Sequence, residues 1–166
     1  MKKLLILIGF MAGFNYSYGQ YALSNGGTQL NLGFGFSDYG MPVYAGFDHG
    51  VSRDISVGGE LSFRSYTDDY RDINYNLNVV GISANGNYHF NRVLNIPREW
   101  DLYAGLNIGF YIWNDPAGYG GDHTTGLGLG AQVGARYYFT HRFGINLEFG
   151  GGNEFAGGKF GITLRL

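Results

Sequence analysis

Histidines are the first side chains to consider for metal or nucleophilic chemistry, because the chain contains no Cys. The four are His49, His89, His123 and His141, and they do not have the spacing of a zinc site. His123 precedes two threonines in a glycine-rich stretch, where a histidine beside a hydroxyl would suit nucleophilic chemistry. A histidine in such a stretch is more often solvated than catalytic. The sequence therefore predicts no catalytic residue and no metal ligand among them.

A second chemical motif is Gly126-Leu127-Gly128-Leu129-Gly130-Ala131, which matches the GxGxxA form of a dinucleotide-binding fingerprint. That fingerprint needs a strand before the glycines and a helix that opens on them. Here apolar and polar residues continue to alternate as far as Phe139, so no helix follows. The sequence argues against nucleotide binding, and we expect no cofactor.

Carboxylates are concentrated between the alternating segments of the chain. They are Asp68, Asp69, Asp72, Asp115, Asp122 and Glu154. A Ca²⁺ ion takes several carboxylate and carbonyl oxygens, and the first three residues are close enough in sequence to supply them. A solvated acidic loop explains the same pattern more simply, so no metal site is predicted. The five aspartates remain candidates for binding an external ligand, because loops on a rigid scaffold usually carry the binding residues.

The elements that must position these residues are strands. In the last segment, Phe160, Ile162, Leu164 and Leu166 fall on one face, and small or polar residues fall on the other. A period of two indicates a strand, because successive side chains leave opposite faces. The alternation recurs along most of the chain and predicts eight strands. They cover residues 28–37, 42–51, 55–66, 75–90, 101–113, 125–139, 143–150 and 160–166.

One of these predicted strands is irregular. In the fourth, residues 77–80 break the alternation, which indicates a bulge or a strand end above the membrane.

The N-terminus has the features of an export signal. Lys2 and Lys3 precede an apolar run over residues 4–12, and the small residue Gly19 suits cleavage. We therefore assign residues 1–19 to a signal peptide and residues 20–166 to a single barrel domain. Cleavage removes two lysines and leaves 9 basic and 13 acidic residues, a net charge of −4. Nothing in this balance favours nucleic acid, which binds a basic surface.

Composition and patterning together predict the fold class. The 30 glycines, 14 tyrosines and 13 phenylalanines suit a narrow barrel, in which an inward glycine makes room for a large neighbour. No segment after the signal offers the roughly 18 apolar residues of a membrane helix, so strands would have to cross the bilayer. Export combined with strands that are apolar on one face and polar on the other indicates lipid outside and polar groups inside. The prediction is an all-β, eight-stranded antiparallel up-and-down transmembrane β-barrel.

The connections between strands indicate which end faces which compartment. One end of the predicted barrel carries two short connections and a longer one, at 52–54, 140–142 and 91–100. The other end carries the connections with the acidic residues, at 37–41, 65–74, 114–124 and 151–158. Barrels of this type have short periplasmic turns and longer outer loops. Aromatic residues concentrate near both ends, which is typical of the two interfacial girdles of a membrane barrel.

The two faces of the strands give two sets of candidate residues. The inward set, predicted to form a polar network, is Asp48, Glu60, Arg64, His89, Arg136, Glu148 and Arg165. The outward set, predicted to face lipid, is Leu106, Ile108, Leu127, Leu129, Val133, Ile145 and Leu147. Side chains just fill the interior of an eight-stranded barrel, so the inward charges must pair or keep water. The sequence favours an Arg136–Glu148 pair, and a polar plug over a charge-lined conduit.

With this pattern over residues 20–166, the chain resembles the small eight-stranded outer-membrane barrels of Gram-negative bacteria, the OmpA/OmpX-like superfamily. The resemblance is one of pattern. The family usually ends in an aromatic residue, whereas this chain ends in Leu164-Arg165-Leu166. The resemblance implies location in the bacterial outer membrane, contact with its lipid, insertion by the barrel-insertion machinery and no enzymatic activity.

The sequence leaves four functions open. The first is a non-enzymatic barrel with a structural role, or with binding or adhesion through loops 65–74 and 114–124. The second is a narrow pore or transporter for small or apolar solutes. The third is a lipid A-modifying enzyme around His123, because some outer-membrane lipid deacylases are eight-stranded barrels with a His-x-Ser pair. The fourth is a soluble exported ligand-binding barrel of the lipocalin kind, with its apolar face inward.

Overall fold

Eight antiparallel strands form a closed barrel in the computed structural model, which describes residue 23 and residues 25–37, 40–70, 73–114, 125–153 and 156–166. The strands are β1 (Thr28–Ser37), β2 (Val43–Gly50), β3 (Ile55–Tyr70), β4 (Ile73–His89), β5 (Trp100–Asn114), β6 (Gly126–Tyr138), β7 (Phe143–Gly152) and β8 (Ala156–Arg165). Each strand pairs with its sequence neighbours, and β1 pairs with β8 to close the sheet. The predicted fold class is confirmed. The proposed signal peptide, residues 1–19, lies outside the described residues.

The two-residue alternation decides which side chains are buried. In β5, Tyr103 points inward and is almost fully buried, whereas Leu106 and Ile108 point outward and are exposed. The apolar residues of the barrel therefore lie mainly on its outer surface, and the polar residues fill its centre. No helix among the described residues is long and apolar enough to cross a membrane.

Strands β3 and β4 are longer than the sequence indicated. They stay paired from Ile55↔Tyr88 as far as Tyr70↔Ile73, so the predicted loop over 65–74 is mostly strand. Thr67, Tyr70 and Ile73 are strand-forming residue types. The prediction placed a loop there because of the neighbouring aspartates, and that assignment was wrong.

Strand β4 contains no bulge at residues 77–80. Its pairing with β3 and β5 continues without interruption through Arg64↔Val79 and Val79↔Trp113. Leu77 and Val79 are fully buried inward residues, whereas Val80 faces outward. The alternation is therefore intact, and the predicted irregularity reflects apolar side chains on the inner face.

Candidate functional site

Arg136 of β6 organises the lumen near the end that carries the short turns, called here the turn end. Its two terminal nitrogens donate to Asp48 Oδ2 of β2 (2.8 Å) and to Asp101 Oδ2 of β5 (3.0 Å). All three side chains are at most 3% exposed, and the guanidinium carbon lies 4.0 Å from the centre of the Tyr103 ring. These contacts connect opposite walls of the barrel across its centre.

A second ionic cluster lies nearer the end that carries the loops, called here the loop end. Lys159 Nζ contacts Glu60 Oε2 at 2.8 Å and Glu148 Oε1 at 2.7 Å, and the Tyr103 hydroxyl donates to Glu148 Oε2 at 2.9 Å. The predicted Arg136–Glu148 pair is therefore wrong. In the observed register Arg136 lies opposite Asp101, and Glu148 lies opposite Lys159.

Sequence reasoning missed Asp101 and Lys159. Asp101 was placed at the edge of a predicted strand, and Lys159 just outside the last one, so neither was given an inward face. With them, the described lumen side chains carry four negative and four positive formal charges. They are Asp48, Glu60, Asp101 and Glu148, and Arg64, Arg136, Lys159 and Arg165. Opposite charges cancel within the barrel, which suits ions that are removed from bulk water.

Two further residues at the turn end, Ser56 and His89, form with the same Asp101 the connectivity of a hydrolytic triad. The His89 ring contacts Ser56 Oγ through Nε2 (2.9 Å) and Asp101 Oδ1 through Nδ1 (2.7 Å). A nucleophile, a base and an orienting carboxylate are arranged in this way in serine hydrolases. All three side chains here are buried at 1% exposure or less, so a substrate has no access to Ser56. The arrangement joins three strands as part of the buried polar network.

Neutral side chains form a second hydrogen-bonded network in the lumen. Gln132 Nε2 donates to Asn87 Oδ1 (2.8 Å) and its Oε1 accepts from Asn107 (2.8 Å). Tyr138 donates to Gln29 at 2.7 Å. These groups are largely buried, and their mutual hydrogen bonds replace those they would make with water.

The loop end of the lumen is more open than the turn end. A cavity of about 110 Å³ is lined there by Glu60, Arg64, Tyr111 and Lys159 on one side and by glycines of β6, β7 and β8 on the other. Its charged floor is the Lys159 cluster. This space is large enough for several water molecules. We call this cavity the vestibule.

The structure places the other predicted residues as follows. Arg64 is buried and donates to Ser37 (3.0 Å), and the Arg165 guanidinium stacks 3.6 Å from the Tyr138 ring centre. Of the seven predicted lipid-facing residues, Ile145 is half-buried and the other six are exposed. Asp68 and Asp69 lie in β3; Asp72, Asp115, Asp122 and His123 lie outside the described residues. No cluster of three or more metal-binding side chains occurs in the described part of the chain.

Among the described residues of the loop end, the most prominent feature is a two-stranded hairpin. Pairing of β2 with β3 ends at Val43↔Phe63, and pairing of β4 with β5 ends at Asn114↔Asn78. Beyond these points the described residues show β3 and β4 paired only with each other. Five residue pairs at about 3.3 Å each make this extension roughly 16 Å long. We call residues 66–70 and 73–77 the projecting hairpin.

Solved structures with a similar fold include outer-membrane proteins. OprG from Pseudomonas aeruginosa superposes with a TM-score of 0.65 at 9% identity, covering 86% of this chain and 97% of that one. The N-terminal β-barrel domain of Pseudomonas aeruginosa OprF gives 0.59 at 16% identity, covering 86% and 98%. Ail, the attachment invasion locus protein of Yersinia pestis, solved with the heparin analogue sucrose octasulfate, gives 0.53 at 12% identity, covering 84% and 97%.

These likenesses define the class of fold, that of the small eight-stranded transmembrane barrels, and confirm the resemblance predicted from the sequence. No family model and no curated protein matches the chain.

Proposed function

We propose that this protein is a non-enzymatic integral barrel of the bacterial outer membrane that binds an external ligand through its projecting hairpin. The single observation that carries the proposal is a hairpin of β3 and β4 whose outer pairs, among the described residues, have no further strand neighbour.

The outer surface supports the membrane location. Large apolar side chains on all eight strands are exposed, among them Leu32, Phe47, Leu61, Leu106 and Leu129. A belt of this size around a soluble protein would be a severe aggregation liability, whereas hydrocarbon solvates it. The polar side chains face inward, which also argues against a lipocalin-like soluble barrel.

The hairpin supports a binding role because its edges carry backbone donors and acceptors. Within the described residues, Thr67–Tyr70 of β3 and Ile73–Asn76 of β4 have no second strand neighbour. Such edges add an extended peptide as a further strand through main-chain hydrogen bonds. Asp68 and Asp69 belong to this segment, so a basic extended peptide is the complementary ligand. Ail was solved with a sulfated ligand, whereas the charge of this hairpin favours the opposite sign.

Fluorescence anisotropy with a labelled extended peptide of alternating Lys and Val residues tests this role on the full barrel in nanodiscs. We expect salt-dependent binding that is lost when residues 66–76 are replaced by a two-residue turn, and weakened at least several-fold by Asp68→Asn with Asp69→Asn. Asp54→Asn, at the turn end, is the matched control and should bind like the native chain. A peptide N-methylated on alternate residues should fail to bind, because it lacks the edge-pairing donors. Equal binding by the shortened barrel would contradict the proposal.

A narrow pore is the second candidate, and the vestibule with its partly accessible Lys159 cluster favours it. The buried ionic contacts of Arg136 across the turn end weigh against conduction. Planar-bilayer recording discriminates between the two: we expect no steady single-channel conductance, and a regular open level would show that the lumen conducts.

The non-enzymatic assignment has its own test at the buried Ser56–His89–Asp101 arrangement. A fluorophosphonate probe should leave Ser56 of the folded barrel unlabelled, because the hydroxyl is buried. Stoichiometric labelling that Ser56→Ala abolishes would identify a hydrolase. Lipid A of unchanged mass on overexpression would separately exclude lipid A modification.

A further inference from the structure

The connection between β4 and β5 is an ordered segment at the turn end. Leu94 N donates to Phe90 O and Ile96 N donates to Asn91 O, both at 2.9 Å. The side chain of the buried Asn91 donates through Nδ2 to the carbonyl of Trp100 and accepts through Oδ1 from Leu102 N at 3.2 Å. These bonds fix the segment to the first residues of β5. We call residues 90–99 the foot.

The foot presents apolar side chains to the outside. Val93 and Leu94 are each 61% exposed, although the backbone around them is held by hydrogen bonds. Apolar side chains that are ordered and exposed gain free energy when another apolar phase covers them.

The foot is continuous with a belt of aromatic rings on the outer surface. Tyr88 and Phe90 lie with their ring centres 5.2 Å apart, Trp100 lies 4.9 Å from Tyr137, and Tyr137 lies 5.2 Å from Phe139. Rings with one apolar and one wet side collect at the boundary between lipid and water. The Val93–Leu94 pair therefore lies beside the interface that the proposed function assigns to lipid.

Basic residues outnumber acidic ones at the turn end. The exposed arginines of the turn end are Arg53, Arg92, Arg98 and Arg142, against the acidic Asp54 and Glu99. Arg92 donates to Asp54 (Nε to Oδ2, 2.8 Å), which ties the foot to the β2–β3 turn. The loop end has the opposite character in the sequence, with Asp38, Asp68, Asp69, Asp72, Asp115, Asp122 and Glu154 against Arg71. A positive end beside an interfacial belt is complementary to phosphate headgroups.

We propose that the foot inserts Val93 and Leu94 into the headgroup region of an anionic phospholipid leaflet, while the turn-end arginines contact the lipid phosphates. This inference rests on the proposed function, because it takes the barrel to span a membrane with its turn end on the phospholipid side. The long arginine side chains keep their charged heads in the headgroup layer while their aliphatic parts lie along the apolar surface.

Single-cysteine labelling tests the foot directly, since the chain has no Cys of its own. Val93→Cys, His141→Cys and Leu106→Cys, each carrying an NBD fluorophore on the full barrel, are reconstituted in vesicles of phosphatidylcholine with or without phosphatidylglycerol. Lipids brominated near the headgroup or deep in the chain serve as quenchers. We expect the label at 93 to be blue-shifted and quenched at least two-fold more by the shallow quencher than the label at 141. Adding Leu94→Ser should move the label at 93 towards a water-like spectrum.

Charge provides a second readout of the same contact. Phosphatidylglycerol should deepen the quenching at 93, and high salt or the combined Arg53→Gln, Arg98→Gln and Arg142→Gln variant should remove that increment. If the label at 93 is water-like while the label at 106 is deeply quenched, the proposed insertion of the foot into lipid is wrong, and the membrane barrel is unaffected. A water-like label at 106 would instead overturn the proposed function itself. If the label at 93 becomes blue-shifted only when a soluble periplasmic polymer is added, the Val93–Leu94 surface binds that polymer. That outcome would also overturn the lipid proposal.

Discussion

Arg136 occupies a position on which two buried carboxylates depend. It contacts Asp48 and Asp101, and all three are removed from solvent. Asp48 also accepts hydrogen bonds from Gln29 (3.0 Å) and Asn31 (2.8 Å), which stabilise its charge but do not neutralise it. Removing the arginine would therefore leave two desolvated negative charges without their guanidinium.

Replacing Arg136 by Met should destabilise the barrel by about 3–5 kcal/mol, because one partner of a buried ionic cluster is lost. Urea unfolding in lipid vesicles, followed by tryptophan fluorescence, measures the change. Arg142→Met, at an exposed turn position, is the control and should shift the unfolding midpoint little. Equal stability of the two variants would contradict the role given to Arg136.

The Asp54–Arg92 pair at the turn end predicts a pH effect of known sign. The hydrogen bond from Arg92 holds the pKa of Asp54 below its ordinary value of 3.8. A carboxyl whose pKa is lower in the folded state stabilises the fold above the unfolded value, and that contribution is lost as the pH falls through the lowered pKa. The difference in unfolding free energy between the native chain and Asp54→Asn should therefore shrink between pH 5 and pH 2 in unfolding titrations at one ionic strength. It should also shrink at high salt, which screens the pair. A gap that widened in acid would contradict this sign.

The inward charges show how far residue-level prediction reached. Strand alternation assigned Asp48, Glu60, Arg136 and Glu148 to the inner face, where the structure places them. Their partners were not predictable in the same way, because pairing depends on register and on contacts across the lumen. Arg136 and Asp48 are 88 residues apart in the chain, and no local spacing indicates that they meet.

At the scale of elements, the strands fit together because large inward rings face glycines on neighbouring strands. The Tyr103 ring of β5 occupies the space in which a side chain at Gly134 of β6 would lie, and these residues are directly paired. By contrast, Gly86 of β4 faces outward with open space around it. The two glycines therefore give a matched pair of substitutions.

Gly134→Ala should cost about 1–3 kcal/mol, because the new methyl group must displace the Tyr103 ring and disturb its hydrogen bond to Glu148. Gly86→Ala should be neutral, or stabilising by up to about 1 kcal/mol, because it lowers the entropy of the unfolded chain without a clash. Unfolding free energies of both variants in the same vesicles provide the comparison. A Gly134→Ala barrel as stable as Gly86→Ala would show that the ring moves aside freely.

The elements were predictable to the extent that their two faces differ in polarity. β5 and β7 alternate cleanly, and their predicted and observed bounds agree within a few residues. Beyond Tyr66↔Leu77 the described parts of β3 and β4 pair only with each other, so no lipid face or packed lumen imposes alternation there. Backbone pairing across the hairpin, as at Thr67↔Asn76, sustains those strands. A pattern based on polarity does not detect that contribution.

The whole molecule is a polar centre enclosed by an apolar surface, and its stability depends on the surrounding phase. Leu106 is 70% exposed at the middle of β5, so the barrel itself gives it little cover. Leu106→Arg should cost about 2–4 kcal/mol in a bilayer, as expected for arginine near the midplane. Thr67→Arg, on the projecting hairpin, should cost far less in the same urea titration. Equal costs would mean that Leu106 does not face hydrocarbon.

A heat-shift gel examines the same property without substitutions. The folded barrel in detergent should migrate faster before boiling than after it, since closure by β1 and β8 keeps it compact. A single band position under both conditions would contradict a closed, detergent-resistant barrel.

Closure of the sheet has a consequence for biogenesis. The seam between β1 and β8 joins residues as far apart as Asn31 and Thr163, whose side chains bond at 2.7 Å across 132 positions of the chain. Contacts of such long sequence separation form late, because loop-closure entropy opposes them. One edge of β1 therefore remains unpaired until β8 is available to pair with it. An unpaired strand edge is a template for aggregation. We therefore expect faster pairing of β1 with β8 to reduce aggregation more than strengthening any single contact in the finished barrel.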